Sequence, residues 1–267
     1  MSVLVWDQTG DRFYETGVKN GVLYPYDSAT PEEFDTTKAY AVGDKVAHTS
    51  KKYICKTSTT AGEWNADNWE ELKSNYAPGV AWNGLSAVTE SPSGAEESKI
   101  YADDIKYLSL RSAEDFGLTV EAYTYPDEWM ACDGSASIVP GVVIGQQART
   151  MFGLCYKTVV GNDIDGNDKG YKLHLVYGAT ASPSERAYQT INDSPEAITF
   201  SWEVTTTPVD ITGKKPASSI TIDSTKLDAA GLKNLTTLEG YLFGTETSAP
   251  YLPLPADIIT LFTPAQG

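Results

Sequence analysis

Hydrophobic and polar residues alternate in short stretches along most of this chain, with glycine and proline between the stretches. In residues 197–207 the apolar positions are Ile198, Phe200, Trp202 and Val204, and the polar positions between them are Thr199, Ser201, Glu203 and Thr205. A period of two places these sets on opposite faces, so the stretch predicts a half-buried β-strand. Residues 117–123 alternate in the same way. Further strands are predicted at 12–18, 21–26, 80–89, 104–111, 151–160, 171–180 and 218–223.

One segment near the end of the chain has helical periodicity instead. Its leucines at 227, 232, 235, 238 and 242 fall on one face. Ser224 is expected to cap this helix and Gly244 to end it. A shorter helical turn is predicted to start at Pro126. The prolines at 250, 253, 255 and 264 predict an extended arm rather than core. The fold class is therefore mainly β, with a flanking C-terminal helix.

Residues 31–74 differ from the rest and predict a small all-β module inserted into a loop, a place where insertions are tolerated. The remaining segments, 1–30 and 75–267, form the main domain. The insert is rich in aromatic residues: Tyr40, Tyr53, Trp64 and Trp69. In a unit of this size such rings either fill the core or form a stacking platform for sugar rings, and the residues alone leave both alternatives open.

Charge and chemistry exclude several function classes. The 267 residues contain 20 Lys and Arg against 36 Asp and Glu, a net charge of −16, which argues against adhesion to nucleic acid or anionic lipid. No apolar run approaches the roughly 18 residues of a membrane span, so no membrane partner is expected. With two histidines and three separated cysteines, the chain has no zinc-ligand spacing, disulfide framework or catalytic set. We expect no enzyme activity, metal or cofactor.

The acidic segment 163–170 is similar to a calcium loop but fails at two positions that the EF-hand requires. Asp168 stands where the loop needs glycine, and His174 stands where it needs glutamate. The flanking residues predict strands rather than helices. A polar β-hairpin loop is the favoured interpretation.

The insert resembles the small carbohydrate-binding module of chitinases and phage adhesion proteins. The shared residues are Tyr40-x-x-Gly43-Asp44-x-Val46, Tyr53-x-x-Lys56, Gly62 and Trp69. Loop 57–62 lacks the adjacent aromatics of the chitin-binding members, which leaves Trp64 as the nearest aromatic. The resemblance implies a host glycan as partner, with Trp64, Tyr53 and Tyr40 as the residues expected to bind it. Trp69 is assigned to the module's core.

The main domain resembles the major tail protein, or tail tube protein, of long-tailed phages of Gram-positive bacteria. The matching blocks, which run in order through 1–26 and 76–258, include Val5-Trp6-Asp7-Gln8-Thr9-Gly10, Ala81-Trp82-Asn83-Gly84-Leu85, Tyr123-Thr124-Tyr125-Pro126-Asp127-Glu128 and Leu252-Pro253-Leu254-Pro255. The resemblance implies a tail-tube β-sandwich with a flanking helix. It also implies hexameric rings that stack into a tube through which the genome leaves.

Several expectations follow from this second resemblance. The partners are further copies of the chain, tape-measure proteins, and tail-terminator or tail-initiator proteins. DNA passes through the lumen without specific binding, and the location is the virion, with the host cytoplasm before assembly. Glu121 and Glu203, on the polar faces of two predicted strands, are expected to line the lumen; outward or subunit-contact positions are the alternative. The alternative functions are a carbohydrate-binding adhesin and the inner tube of a contractile tail or a tailocin.

Overall fold

The computed structural model describes residues 4–28, 30–72, 74–191, 193, 196–211 and 213–263, and this part of the chain is mainly β. The strands are β1 (Phe13–Pro25), β2 (Lys45–His48), β3 (Lys51–Cys55), β4 (Trp69–Glu71), β5 (Val80–Trp82), β6 (Leu85–Glu90), β7 (Ser93–Gly94), β8 (Glu97–Ala102), β9 (Ile105–Arg111), β10 (Glu114–Asp115), β11 (Gly117–Ala122), β12 (Ala136–Val139), β13 (Val142–Ile144), β14 (Phe152–Asn162), β15 (Gly166–Ala181), β16 (Phe200–Thr206) and β17 (Ser219–Asp223). The helices are α1 (Trp129–Asp133), α2 (Ala229–Phe243) and α3 (Pro255–Phe262), with 3-10 turns at Ala66–Asn68 and Ser224–Lys226.

One antiparallel sheet forms the main domain, in the order β5-β1-β14-β15-β16-β11-β6, with β17 also paired to β15. Its two end strands, β5 and β6, are joined only by Asn83 and Gly84. The ends of the sheet must therefore lie close together, so the sheet folds over like a sandwich around a core. The sequence predicted a single strand over 80–89. That prediction was wrong, because Gly84 adopts a left-handed φ of 75° and breaks the strand at this corner.

The first core lies inside the folded sheet. Leu118 and Val120 of β11 face it together with Trp202 of β16, as the alternating pattern predicted. At its centre, Trp129 of α1 lies 4.7 Å from the Trp82 ring and 5.2 Å from the Trp202 ring. Such large, tilted aromatic pairs contribute both buried area and ring-to-ring attraction.

The second core lies between the other face of the sheet and the C-terminal helices. Leu173 and Leu175 of β15 pack there with Leu235 and Leu238 of α2. The hydroxyl of the buried Tyr24 donates a 2.6 Å hydrogen bond to the last turn of α2, at the Leu242 carbonyl. The central strands β1, β14 and β15 are therefore covered on both faces. This helix layer confirms the predicted flanking helix.

Two details of the C-terminal region correct the sequence interpretation. The cap of α2 is Asp228, whose carboxylate accepts from the Gly231 N–H at 2.7 Å, whereas Ser224 begins the preceding 3-10 turn. The segment from Pro250 is not an extended arm outside the core. Leu252 is buried in the second core, and Pro255 occupies the first turn of α3, where proline is favourable.

Candidate assembly surfaces and the inserted module

The inserted module contains a three-stranded antiparallel sheet, in the order β2-β3-β4. Val46, Cys55 and Trp69 form its buried core, one residue from each strand. Partly buried aromatic rings pack around these three: Phe34, Tyr40, Tyr53 and Trp64. The sequence assignment of Trp69 to the core is confirmed. Few aliphatic residues are present, so the aromatic rings provide most of the apolar contact in this unit.

The three residues predicted to bind glycan belong to this same cluster. The Trp64 ring is stacked on both Trp69, at 5.1 Å, and His48, at 4.1 Å. Tyr53 meets Trp64 edge-on at 4.8 Å. The Tyr40 hydroxyl accepts a 2.8 Å hydrogen bond from the Asp35 N–H. All three side chains therefore contribute to the fold of the module, and their binding of a sugar stays a prediction.

Two adjacent connecting segments join the module to the main domain. The Asp27 N–H donates to the Asn75 carbonyl at 2.8 Å, and the rings of Tyr26 and Tyr76 meet edge-on at 5.6 Å. Lys45 of β2 forms an ion pair with Asp27. Entry and exit therefore lie side by side, as expected for a unit placed within a loop.

Glu121 and Glu203 lie on the face of the sheet opposite to the first core. In the pairing of β11 with β16, Glu203 is opposite Thr119 and Glu121 is opposite Ser201. The intervening Val120 and Trp202 are buried. The two carboxylates therefore share one outer face, on neighbouring strands. Their position in the lumen of a tube stays a prediction.

A two-stranded ribbon, which we name the arm (residues 93–115), extends the β6–β11 hairpin. It consists of the β7–β10 pair and, beyond it, the β8–β9 pair. Every residue of β8 and β9 is exposed, and these include large apolar side chains such as Tyr101, which is 65% exposed. Strand β8 alone spans about 20 Å at the usual rise of a strand. The sequence predicted β9 but missed its partner β8.

A second exposed hairpin, β12–β13 (residues 136–144), was not predicted. Its apolar residues include Ile138, which is 61% exposed, together with Val139, Val142 and Val143. The hairpin follows α1 and turns at Pro140 and Gly141. The molecule therefore presents two ribbons with exposed apolar side chains. Monomeric proteins rarely expose contiguous apolar patches, and such patches commonly mark interfaces.

A group of titratable side chains lies where β1, β14 and β15 meet. The two ring nitrogens of His174 lie 3.8 Å from Glu15 and 3.6 Å from Glu90, and the ring stacks on Tyr156 at 4.7 Å. Burial lowers the pKa of His174 below 6.5, and this effect outweighs the opposite influence of the two carboxylates. Partial burial raises the pKa of Glu15, but hydrogen bonds from Lys172 and Thr158 lower it by more, to below 4.5.

These pKa shifts predict that the protein loses stability as the pH falls below neutrality. His174 binds a proton more readily in the unfolded chain, so its contribution is present above about pH 6.5 and is lost below it. Glu15 contributes in the same direction, at pH values below 4.5. We expect the free energy of unfolding, measured in urea, to decrease between pH 7.0 and 5.5. His174→Gln is expected to flatten this dependence; an unchanged slope in that variant would contradict the assignment.

The acidic segment 163–170 contains the hairpin connection that the sequence favoured, but the loop itself is only residues 163–165, because β15 begins at Gly166. The Asn162 side chain accepts a 2.6 Å hydrogen bond from the Asp165 N–H and holds the turn. Among the described residues no group of three or more His, Cys, Asp and Glu side chains could hold a metal ion. In that same part of the chain, no helix is long and apolar enough to cross a membrane.

Neither a protein-family model nor a curated protein matches this sequence significantly. The function must therefore be inferred from the residues and the surfaces of the molecule itself.

Proposed function

We propose that this chain is a structural protein of the phage virion, which assembles as stacked hexameric rings into the tail tube that conducts the genome. The observation that carries this proposal is the pair of exposed ribbons, the arm and the β12–β13 hairpin, with their apolar side chains. Such side chains are costly in a free monomer and are expected at contacts between subunits. The resemblance to tail tube proteins supports the same assembly.

The free backbone edges of the ribbons support it as well. In a two-stranded ribbon each strand has only one neighbour, so its other edge leaves N–H and C=O groups available for pairing. Proteins that remain monomeric usually protect such edges. In an assembly, neighbouring copies would cover the free strand edges and the apolar side chains of the ribbons. This explains why a single chain leaves them exposed.

The charge of the chain suits a channel for DNA. A ring of six copies would carry six times the net charge of −16, and this charge includes the carboxylates of Glu121 and Glu203 on one outer face of the sheet. If this face lines the lumen, phosphates are repelled and DNA slides through without binding. Tape-measure and tail-terminator or tail-initiator proteins would set the length and the ends of the tube.

We place the inserted module on the outside of the tube, where a unit of this size has room, and assign it to contact with host glycans. A free carbohydrate-binding adhesin is the alternative function. The packing of Trp64 on Trp69 and His48 favours a folding role for these rings, so the module alone gives less support to an adhesin. The inner tube of a contractile tail or a tailocin would use the same assembly.

Electron microscopy of the purified chain, with and without tape-measure and initiator proteins, tests the proposal. We expect tubes of uniform diameter in their presence. Replacing residues 31–74 with a short Gly/Ser linker is expected to leave the tubes intact but thinner in outline. Persistent monomers that bind glycan beads would favour the adhesin. Loss of all tubes in the linker variant, with the main domain still folded, would contradict an external module.

A further inference from the structure

A cleft of about 570 Å³ lies beside α1 and the β12–β13 hairpin, and its charged residues are unusual for this chain. They are Asp133, Arg149 and Arg186, which give the cleft a net positive charge in a protein of net charge −16. The side chains of Gln147 and Ser184 add polar groups to the lining. Because two arginines lie in one cleft of an otherwise acidic protein, this cleft is suited to bind an anion.

The two arginines have different surroundings. Arg186 forms an ion pair with Asp133, whose side chain is only 3% exposed, so the carboxylate fixes this guanidinium in place. Arg149 donates to the carbonyl oxygen of Ala181 at 3.2 Å and forms no ion pair within the described residues. A guanidinium has five N–H donors, so Arg149 retains donors for a carboxylate. The positive charge that lacks a partner is therefore the one on Arg149.

The tip of the arm carries the opposite charge. Asp103 and Asp104 form the two-residue turn between β8 and β9, with left-handed φ angles of 50° and 59°. These angles are those of a type I′ turn, which suits the twist of a ribbon. Both residues are exposed, and neither forms an ion pair within the described chain. The arm therefore ends in two adjacent carboxylates at the far end of the β8–β9 pair.

We propose that the Asp103–Asp104 tip of one copy docks in the Arg149–Arg186 cleft of a neighbouring copy. The proposal rests on the proposed assembly and specifies one of its contacts. Apolar groups flank both partners: Tyr101 and Ile105 lie beside the tip, and the β12–β13 hairpin joins the cleft at both of its ends, next to Ser135 and Gly145. The proposed contact therefore has ion pairs at its centre and apolar contacts around them.

The contact joins two different surfaces, because the tip and the cleft belong to separate parts of the fold. Within the described part of one copy Asp103 and Asp104 stay exposed and form no ion pair with the cleft, so the proposed contact takes its partner from a second copy. A contact between unlike surfaces is heterologous, and repetition of it produces a closed ring or an open stack. The contact therefore suits an assembly that grows by addition of identical subunits.

A charge exchange tests the proposal. We expect Asp103→Lys with Asp104→Lys to raise the apparent dissociation constant of assembly, measured by sedimentation over a range of concentrations, by about tenfold, which corresponds to about 1.4 kcal/mol. Arg149→Glu is expected to have a similar effect, and the combined variant to recover most of the loss. Asp168→Lys, at an exposed position near the start of β15, is the control for added positive charge and is expected to assemble normally. Raised salt should weaken the wild-type contact, because exposed charges are screened.

Cross-linking separates this contact from the tube proposal and does not depend on how Arg149→Glu folds. Asp104→Cys and Ser184→Cys are made in separate chains, and the native cysteines Cys55, Cys132 and Cys155 are buried. Oxidation of the mixture is expected to give disulfide-linked dimers that neither variant gives alone. Tubes that form normally in both reversal variants, with no dimer in the mixture, would overturn the contact and leave the tube proposal standing. Dimers without tubes would support the contact alone.

Discussion

Leu252→Ala is expected to destabilise the protein by about 2–5 kcal/mol, the usual cost of removing a buried leucine side chain. Leu252 is completely buried in the second core, and its methyl group covers the backbone of Gly153 in β14. The loss is a large fraction of the roughly 5–15 kcal/mol that stabilises a typical domain. Thermal and urea unfolding, monitored by circular dichroism, would measure it.

Leu254→Ala is the matched control, because Leu254 lies two residues further on and is 40% exposed. We expect its effect to be well below 1 kcal/mol, as is usual for exposed positions. Deletion of residues 250–267 should be more damaging than either substitution, since it removes α3 and the buried Ile258 as well. Equal, small effects of the two alanine variants would show that the C-terminal segment is not part of the core.

The sequence predicted β11 and β16 of the main sheet because burial repeats there with a period of two. In β11 and β16 one face is buried and the other is partly or fully exposed, so apolar and polar residues alternate. The helix α2 was predicted for the same reason, from leucines on one face. Where an element has one buried face, the period of its apolar residues in the sequence indicates which side chains are buried.

The elements that were missed lack this signal. In β8 all residues are exposed, so no apolar face distinguishes Glu97–Ala102 from a loop. In the C-terminal region the prolines suggested an extended chain, yet Pro255 begins α3 and the Pro253 carbonyl accepts a hydrogen bond from Tyr177. Proline is unfavourable inside a helix but favourable in its first turn, so its position within the element decides its effect.

The sequence predicted only part of the surfaces that are proposed to carry function. The aromatic residues of the insert were recognised, but whether their rings face each other or the solvent depends on contacts such as that of Trp64 with His48. The cleft combines Asp133, Arg149 and Arg186 from three separate segments. No local sequence pattern predicts such a combination, because these three residues come together only when the sheet has folded.

Removal of the arm is expected to abolish assembly while the fold is retained. The variant replaces residues 95–113 with Asn-Gly, so that Gly94 and Glu114, which pair with each other, are joined by a tight turn. None of the replaced residues belongs to either core of the main domain. We therefore expect a melting temperature within a few degrees of the wild type, whereas tubes and higher oligomers disappear from micrographs and sedimentation profiles.

The Gly/Ser replacement of residues 31–74 provides the control, because it removes a larger part of the chain from another surface. If the arm provides the contact between subunits, only its removal stops assembly. Tubes of normal appearance from the armless chain would contradict both the docking of Asp103 and Asp104 and the proposed role of the arm in assembly. Loss of tubes together with a large fall in melting temperature would instead make the arm part of the folded domain, contrary to the full exposure of β8 and β9.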